Sequence, residues 1–182
     1  EKTGGDDDGH VWDPARVKSA ALREALSRLE EWAPLRVPVL LVGERGTGKT
    51  TLANFLRSMS PFQKAQGKSW PTVVCGQFRV SPQLARSELF GHVAGAFTDA
   101  KSDRVGLLEQ ADGDTLFFDE IADIDRDTQR LLMAAIEGRG FQRVGDSKVR
   151  HSGFRLVCAT NRSLNELRKD VLDLDFFDRI AV

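Results

Sequence analysis

Two cysteines, a formal charge of only −1 and no long apolar run mark what the 182-residue chain has little of, and each scarcity excludes a class of function. A membrane-spanning helix needs about 20 consecutive apolar residues; none is present, and no secretory signal pattern is visible. Cys75 and Cys158 each sit in a strand-like apolar run. They make neither a disulfide framework nor a metal-ligand spacing, and buried thiols of a cytoplasmic protein are the expectation. A nearly neutral chain does not hold nucleic acid by bulk electrostatics. Residues 1–10, with Asp6-Asp7-Asp8, cannot bury a core and are expected to be a disordered tail. The remainder is ordinary for a globular protein, 41% apolar and 29% charged, and residues 11–182 suffice for one domain.

What the chain does contain centres on Gly43-Glu44-Arg45-Gly46-Thr47-Gly48-Lys49-Thr50. The run fits G-x-x-x-x-G-K-[ST], with an apolar strand, Val37 to Val42, before it and a helix, opened by Thr51, after it. Its glycines allow a sharp turn that brings backbone N–H groups to phosphate oxygens, and the helix N-terminus favours the same anion. Gly43 through Thr51 are therefore the candidate nucleotide contacts. Lys49 reaches the β- and γ-phosphates, and the Thr50 hydroxyl is a candidate Mg²⁺ ligand.

The second informative run is Thr115-Leu116-Phe117-Phe118-Asp119-Glu120, a strand ending in two carboxylates. In α/β folds that C-terminal edge is where ligands bind. Asp119 is the second candidate Mg²⁺ ligand, and Glu120 is the candidate to polarise an attacking water. Around these runs the pattern predicts a helix from Asp13-Pro14 to about Trp32, a strand at Thr72–Cys75, and a helix capped at Ser81 and ended by Gly91. It then predicts a glycine-punctuated loop from Gly91 to Ala100, a helix around Val105 to Ala111, and a helix from Asp125 to Glu137 burying Leu131, Leu132, Ala135 and Ile136. A β-hairpin about Gly145-Asp146-Ser147, a core strand at Phe154–Ala159 and a capping box at Ser163–Glu166 follow. His92 and His151 have no metal-ligand partners at useful spacing and read as structural. Strands alternating with helices imply an α/β fold with a mostly parallel sheet.

The run Ser87-Glu88-Leu89-Phe90-Gly91-His92-Val93-Ala94-Gly95-Ala96-Phe97-Thr98-Asp99-Ala100 resembles the S-E-L-F-G-H…G-A-F-T-G-A signature of NtrC-like bacterial enhancer-binding proteins, the AAA+ activators of sigma-54 RNA polymerase. Gly106 to Ala111, the Walker B pattern of Thr115 to Glu120, Phe141 to Gly145 and Ala159-Thr160-Asn161-Arg162 follow in that family's order. The resemblance implies a five-stranded parallel sheet in the order 5-1-4-3-2, with an inserted loop and hairpin and no helical lid within these residues. It implies a ring, commonly a hexamer, with ATP and Mg²⁺ at subunit interfaces. Thr160 and Asn161 match sensor I, and Arg179 matches an arginine finger reaching a neighbour's ATP. Phe97 and Thr98 match the loop tip that contacts the sigma factor; Phe97 packed into its own core is the other reading. Contact with DNA would come only through a domain absent from this chain.

Three positions depart from the family. Asp99 replaces a glycine. Val74 stands where an asparagine usually pairs with the Walker B glutamate, so that partner is missing or supplied by another residue. Asp173 falls on the position of a first arginine finger, for which Arg168 or Arg162 could substitute. The resemblance implies an ATP-hydrolysing activator that remodels the sigma-54 holoenzyme. The departures keep two alternatives open, a divergent AAA+ ATPase acting on another protein and a nucleotide-gated scaffold.

Overall fold

The structure, a computed structural model, describes residues 17–64 and 70–181. In chain order its elements are α1 (Ala20–Trp32), β1 (Val39–Val42), α2 (Lys49–Ser58), β2 (Thr72–Val74), α3 (Pro82–Phe90), β3 (Gly91–His92), β4 (Arg104–Val105), α4 (Leu107–Gln110), β5 (Thr115–Asp119), α5 (Arg126–Ile136), β6 (Phe141–Gln142), β7 (Val149–Arg150), β8 (Arg155–Thr160), α6 (Leu164–Glu166) and α7 (Leu174–Ile180). A 3₁₀ turn, Cys75–Val80, follows β2; another, Ile121–Asp123, follows β5; a π-helical turn, Leu167–Val171, follows α6.

β1, β8, β5 and β2 pair in that order, all parallel, with Val39 beside Val157, Phe117 beside Val157 and Val73 beside Phe118. The middle strands are apolar on both faces, as a sheet covered by helices on both sides requires. Leu116, Phe118, Leu156 and Cys158 point to one face and join α3, α5 and α7 through Leu89, Leu132, Phe176 and Ile180. Phe117, Val157 and Ala159 point to the other and join α1 and α2 through Leu26, Leu29, Ala53 and Leu56. Both cysteines are buried and free, and burial pushes both thiols well above their ordinary range, so they are packing groups. Among the described residues no helix is long and apolar enough to cross a membrane.

Several boundaries differ from the sequence pattern. The Asp13-Pro14 cap and residues 1–10 lie outside the described residues, as does the stretch 65–69 of the connector after α2. Residues 17–19 are not helical, and α1 begins at Ala20, where Ser19 accepts from the Leu22 N–H. Leu131 is exposed, because the apolar stripe of α5 is narrower than its leucine pair suggests; Leu132 and Ala135 carry the packing. The Gly91–Ala100 loop starts as strand β3, which pairs antiparallel with β4, so α4 starts at Leu107 rather than Val105. The described residues thus carry two small antiparallel ribbons, and the parallel bridge His92–Val144 links the first to the loop of the second.

Two buried arginines fasten these layers. Arg57, at the end of α2, donates from Nε and Nη2 to both oxygens of Asp114 at 2.7 and 2.8 Å, just before β5. Burial alone would raise the Asp114 pKa, but Arg57 and the N–H groups of Thr115 and Lys64 hold it below the ordinary carboxylate range. Losing the carboxylate removes both of these bonds to Arg57 and the acceptor for the Thr115 and Lys64 N–H groups, so Asp114→Ala should destabilise the fold by about 3–5 kcal/mol in urea unfolding. The native carboxyl is the stronger acid, so its contribution is complete above an unfolded pKa of about 3.9 and disappears as pH falls through the lower folded value. A flattened acid limb in Asp114→Asn would verify this. Arg155 opens β8 with its side chain buried and donates to the carbonyls of Ala33 (3.1 Å) and Trp32, the C-terminal end of α1. Its charge meets the negative end of that helix, and burial lowers its pKa to about 10.

Candidate functional site

The phosphate-binding candidates follow directly from the end of β1. Gly43 N–H donates to the Thr160 carbonyl at 3.1 Å, extending the β1–β8 pairing by one step. The chain then turns through Gly46 at φ 78° and Gly48 at φ 85°, a left-handed backbone natural only to glycine, and α2 begins at Lys49. Lys49 Nζ donates to the carbonyls of Gly43 and Glu44 at 2.7 Å each, which draws the ammonium across the loop. Thr47 Oγ1 braces the same loop by donating to the Glu44 carbonyl at 2.8 Å. Glu44, Arg45 and Thr50 are exposed, and Thr51, in the first turn of α2, is half-buried. The first turn of a helix with a cationic side chain beside it is an anion site.

The same sheet edge brings in β5 and β8. Asp119, half-buried, lies in register between Val74 of β2 and Ala159 of β8. Glu120 follows with φ 60° and ψ 64°, the left-handed region in a residue with a side chain. Among the described residues it is the one non-glycine there. Its carboxylate accepts from the Thr160 hydroxyl and from the Asn161 N–H at 3.0 Å. The Thr160 hydroxyl also accepts from Arg162 N–H at 3.1 Å. Thr160 therefore touches all three parts of the site: the loop, the carboxylate and the segment after β8. The sequence names these residues but not the bonds between them, of which the two to Glu120 join positions 40 and 41 apart.

The arginine candidates and the departing positions are placed as follows. Arg179, exposed on α7, lines a groove of about 690 Å³ between α5 and α7 with Arg130, Glu137 and Asp178. Asp173 caps α7 by accepting from Asp175 N–H at 3.2 Å, and its own N–H donates to Gln129 Oε1 at 2.7 Å. That position is a helix cap, with its carboxylate 3.9 Å from Arg130 Nε, and supplies no arginine of its own. Arg168 and Arg162 are both exposed. Val74 is 48% exposed and faces Asp119 in register, and the donors to Glu120 come from Thr160 and Asn161 instead.

Phe97 is half-buried and meets the His92 ring edge-on at 4.9 Å, while Thr98 is exposed. His92 is itself buried, with Nδ1 2.7 Å from Ser87 Oγ, which fits its structural reading. Phe97 is thus laid against its own domain, on a surface rather than in the core. Asp99 is exposed and carries no left-handed strain. The loop also touches the hairpin: Val93 N–H donates to the Val144 carbonyl at 3.1 Å, and a Cβ on Gly145 would come within 2.7 Å of the Ala96 methyl. Arg143, on the hairpin, holds Glu109 of α4 through two bonds of 2.7 and 3.0 Å.

The sequence profile of the sigma-54 interaction domain matches residues 16–182. The chain is 43% identical over 165 residues to the Psp operon transcriptional activator of Escherichia coli, covering 87% of this chain and 49% of that protein. It is 40% identical over 148 residues to a Nif-specific regulatory protein of Azospirillum lipoferum, covering 81% of this chain and 23% of that protein. It therefore spans less than half of the length of either relative. A crystal structure of NtrX from Brucella abortus in complex with ATP superposes with a TM-score of 0.75 at 26% identity, covering 90% of this chain and 34% of that one.

Proposed function

This chain belongs to the family of sigma-54 interaction domains, the ATP-binding AAA+ ATPase domains of sigma-54-dependent regulators, and from that membership we propose that it works in a ring of identical subunits, commonly a hexamer, to remodel the cytoplasmic sigma-54 RNA polymerase holoenzyme. The observation that carries this reading is the convergence of the Lys49 loop, Asp119, Glu120 and Thr160 on one edge of a parallel sheet.

In this reading Gly43 through Thr51 hold the ATP phosphates, with Lys49 turning from the loop carbonyls to the β- and γ-phosphates. The oxygen-only pair of the Thr50 hydroxyl and Asp119 suits Mg²⁺, which keeps most of its waters and would neutralise phosphate charge. Glu120 accepts a proton from the attacking water, and Thr160 and Asn161 register the γ-phosphate through the bonds they share with Glu120. Arg179 stabilises charge on the neighbouring subunit's ATP. Phe97 and Thr98 leave the His92 surface to meet the sigma factor. DNA is reached through a different domain of the intact protein.

The sheet extends in the same reading. The observed order β1-β8-β5-β2 corresponds to 1-4-3-2, and a fifth strand would add beside β1. A groove of about 770 Å³, lined by Leu22, Trp32, Leu40, Val42 and Lys49, runs along that edge and offers an apolar seat for it. A helical lid would then cover the nucleotide in the intact protein.

The test is ATP turnover by the intact protein against its own concentration, with and without sigma-54. A rate per subunit that climbs steeply with concentration, together with stable sigma-54 association in ADP–aluminium fluoride, is the expected result. Turnover without that association would move the target to another protein, as the exposed Asp99 at the loop tip favours. No turnover at any concentration would leave a nucleotide-gated scaffold.

A further inference from the structure

Glu120 sits in a backbone conformation that costs free energy for any residue with a Cβ, and such a conformation persists only where its surroundings hold it. Its carboxylate is held from the β8 side by Thr160 and Asn161. Its carbonyl accepts from Asp123 N–H at 3.0 Å, which closes the 3₁₀ turn Ile121–Asp123. That turn has its own anchor. Ile121 is fully buried, and the Asp123 side chain, only 8% exposed, pairs with Arg79 Nη2 at 2.5 Å. Arg79 lies on the other 3₁₀ turn, Cys75–Val80, which continues β2. Gly76 of that turn has no side chain, and a Cβ there would lie 3.6 Å from the second Asp123 oxygen, so the carboxylate rests against the turn.

We propose that Arg79 is a positioning residue for the hydrolytic step: by gripping Asp123 it fixes the turn after β5 and so keeps Glu120 left-handed, with its carboxylate presented to the water and to Thr160. The proposal rests on the reading that Glu120 polarises that water. Arg79 acts through Asp123 and the turn. An ordinary exposed ion pair contributes little to stability, because both partners are solvated either way. This pair differs in having one nearly buried partner, lodged between two turns, three residues from the reacting carboxylate. The hydrogen bond to Asp123, then the fields of Asp123 and more weakly of Glu120, raise the Arg79 pKa above its ordinary value, so the guanidinium stays charged. Nothing in the local sequence announces the role, since Arg79 and Asp123 are 44 positions apart.

The experiment compares Arg79→Ala and Arg79→Lys with the parent in the intact protein, reading steady-state ATP turnover, nucleotide affinity by fluorescent-nucleotide titration, and thermal stability. Misplacing a catalytic carboxylate by a fraction of an ångström should lower kcat about tenfold in Arg79→Ala. Nucleotide Kd should stay within about twofold, because the loop and Lys49 are untouched. Arg79→Lys, which can still pair with Asp123, should recover most of the rate. Unchanged kcat in Arg79→Ala would overturn the proposal. So would a parallel fall of kcat, affinity and melting temperature without rescue by lysine, which would make the pair merely structural. Glu120→Gln separates the two layers of inference. If that variant retains turnover, the water-polarising reading fails and takes the Arg79 role with it. If it is inactive while Arg79→Ala is normal, only the Arg79 role falls.

Discussion

Replacing Glu120 with glutamine should lower ATP turnover by about 10²- to 10⁴-fold, the range expected when a general base is removed, while nucleotide binding remains. The reason lies in which contacts survive. A glutamine oxygen can still accept from the Thr160 hydroxyl or the Asn161 N–H, so the left-handed turn keeps its anchors. Lys49 and the loop from Gly43 to Gly48 are on β1 and α2, and the substitution leaves them alone. What disappears is the capacity to take a proton from water. Equilibrium titration with a fluorescent ATP analogue, beside a phosphate-release assay, checks both halves. Turnover within a factor of a few of the parent would remove Glu120 from the chemistry.

The second large effect concerns Arg179. α7 packs through Phe176, Phe177 and Ile180 on the face of the sheet opposite to α2, and Arg179 is exposed in the groove beside α5. An exposed cation on that face is available to another subunit's nucleotide, and arginine fingers contribute about 10³- to 10⁵-fold to phosphoryl transfer. Arg179→Ala should therefore lose at least about 10³-fold in turnover with little change in affinity for a free nucleotide. Mixing Arg179→Ala with Glu120→Gln subunits is the sharper measurement. If the finger acts between subunits, some interfaces in a mixed ring join an intact Glu120 to an intact Arg179, and activity returns. Mixtures no more active than either variant alone would assign Arg179 to its own subunit or to no role.

The site was largely legible in the sequence because its parts are local. A glycine-rich loop between strand and helix, a strand ending in Asp119-Glu120, and the Ser163–Glu166 capping box each need only neighbouring residues, and the capping box forms with both of its reciprocal bonds. Illegible parts depend on distant partners. The left-handed backbone of Glu120 is set by bonds to β8 and to its own turn, and no glycine marks it. Arg155 sits in a run that reads as an apolar core strand, and only the approach of α1 shows how its charge is accommodated. Arg57 and Asp114, 57 positions apart, become a pair only once α2 lies on β5. Leu131 misleads because adjacent leucines cannot both face the core when the buried stripe of a helix is narrow. Strands β3 and β4, two residues each, are created by pairing across the loop base and carry no propensity signal of their own.

The contact of Ala96 with Gly145 bears on how far the loop tip can travel. Loop and hairpin share backbone bonds through Val93, Val144 and Gly91, and no side chain fits between them at Gly145. The two insertions are therefore coupled at their bases. A displacement of the loop base at Val93 would therefore pull on the hairpin, and through the Arg143–Glu109 fork on the short helix α4.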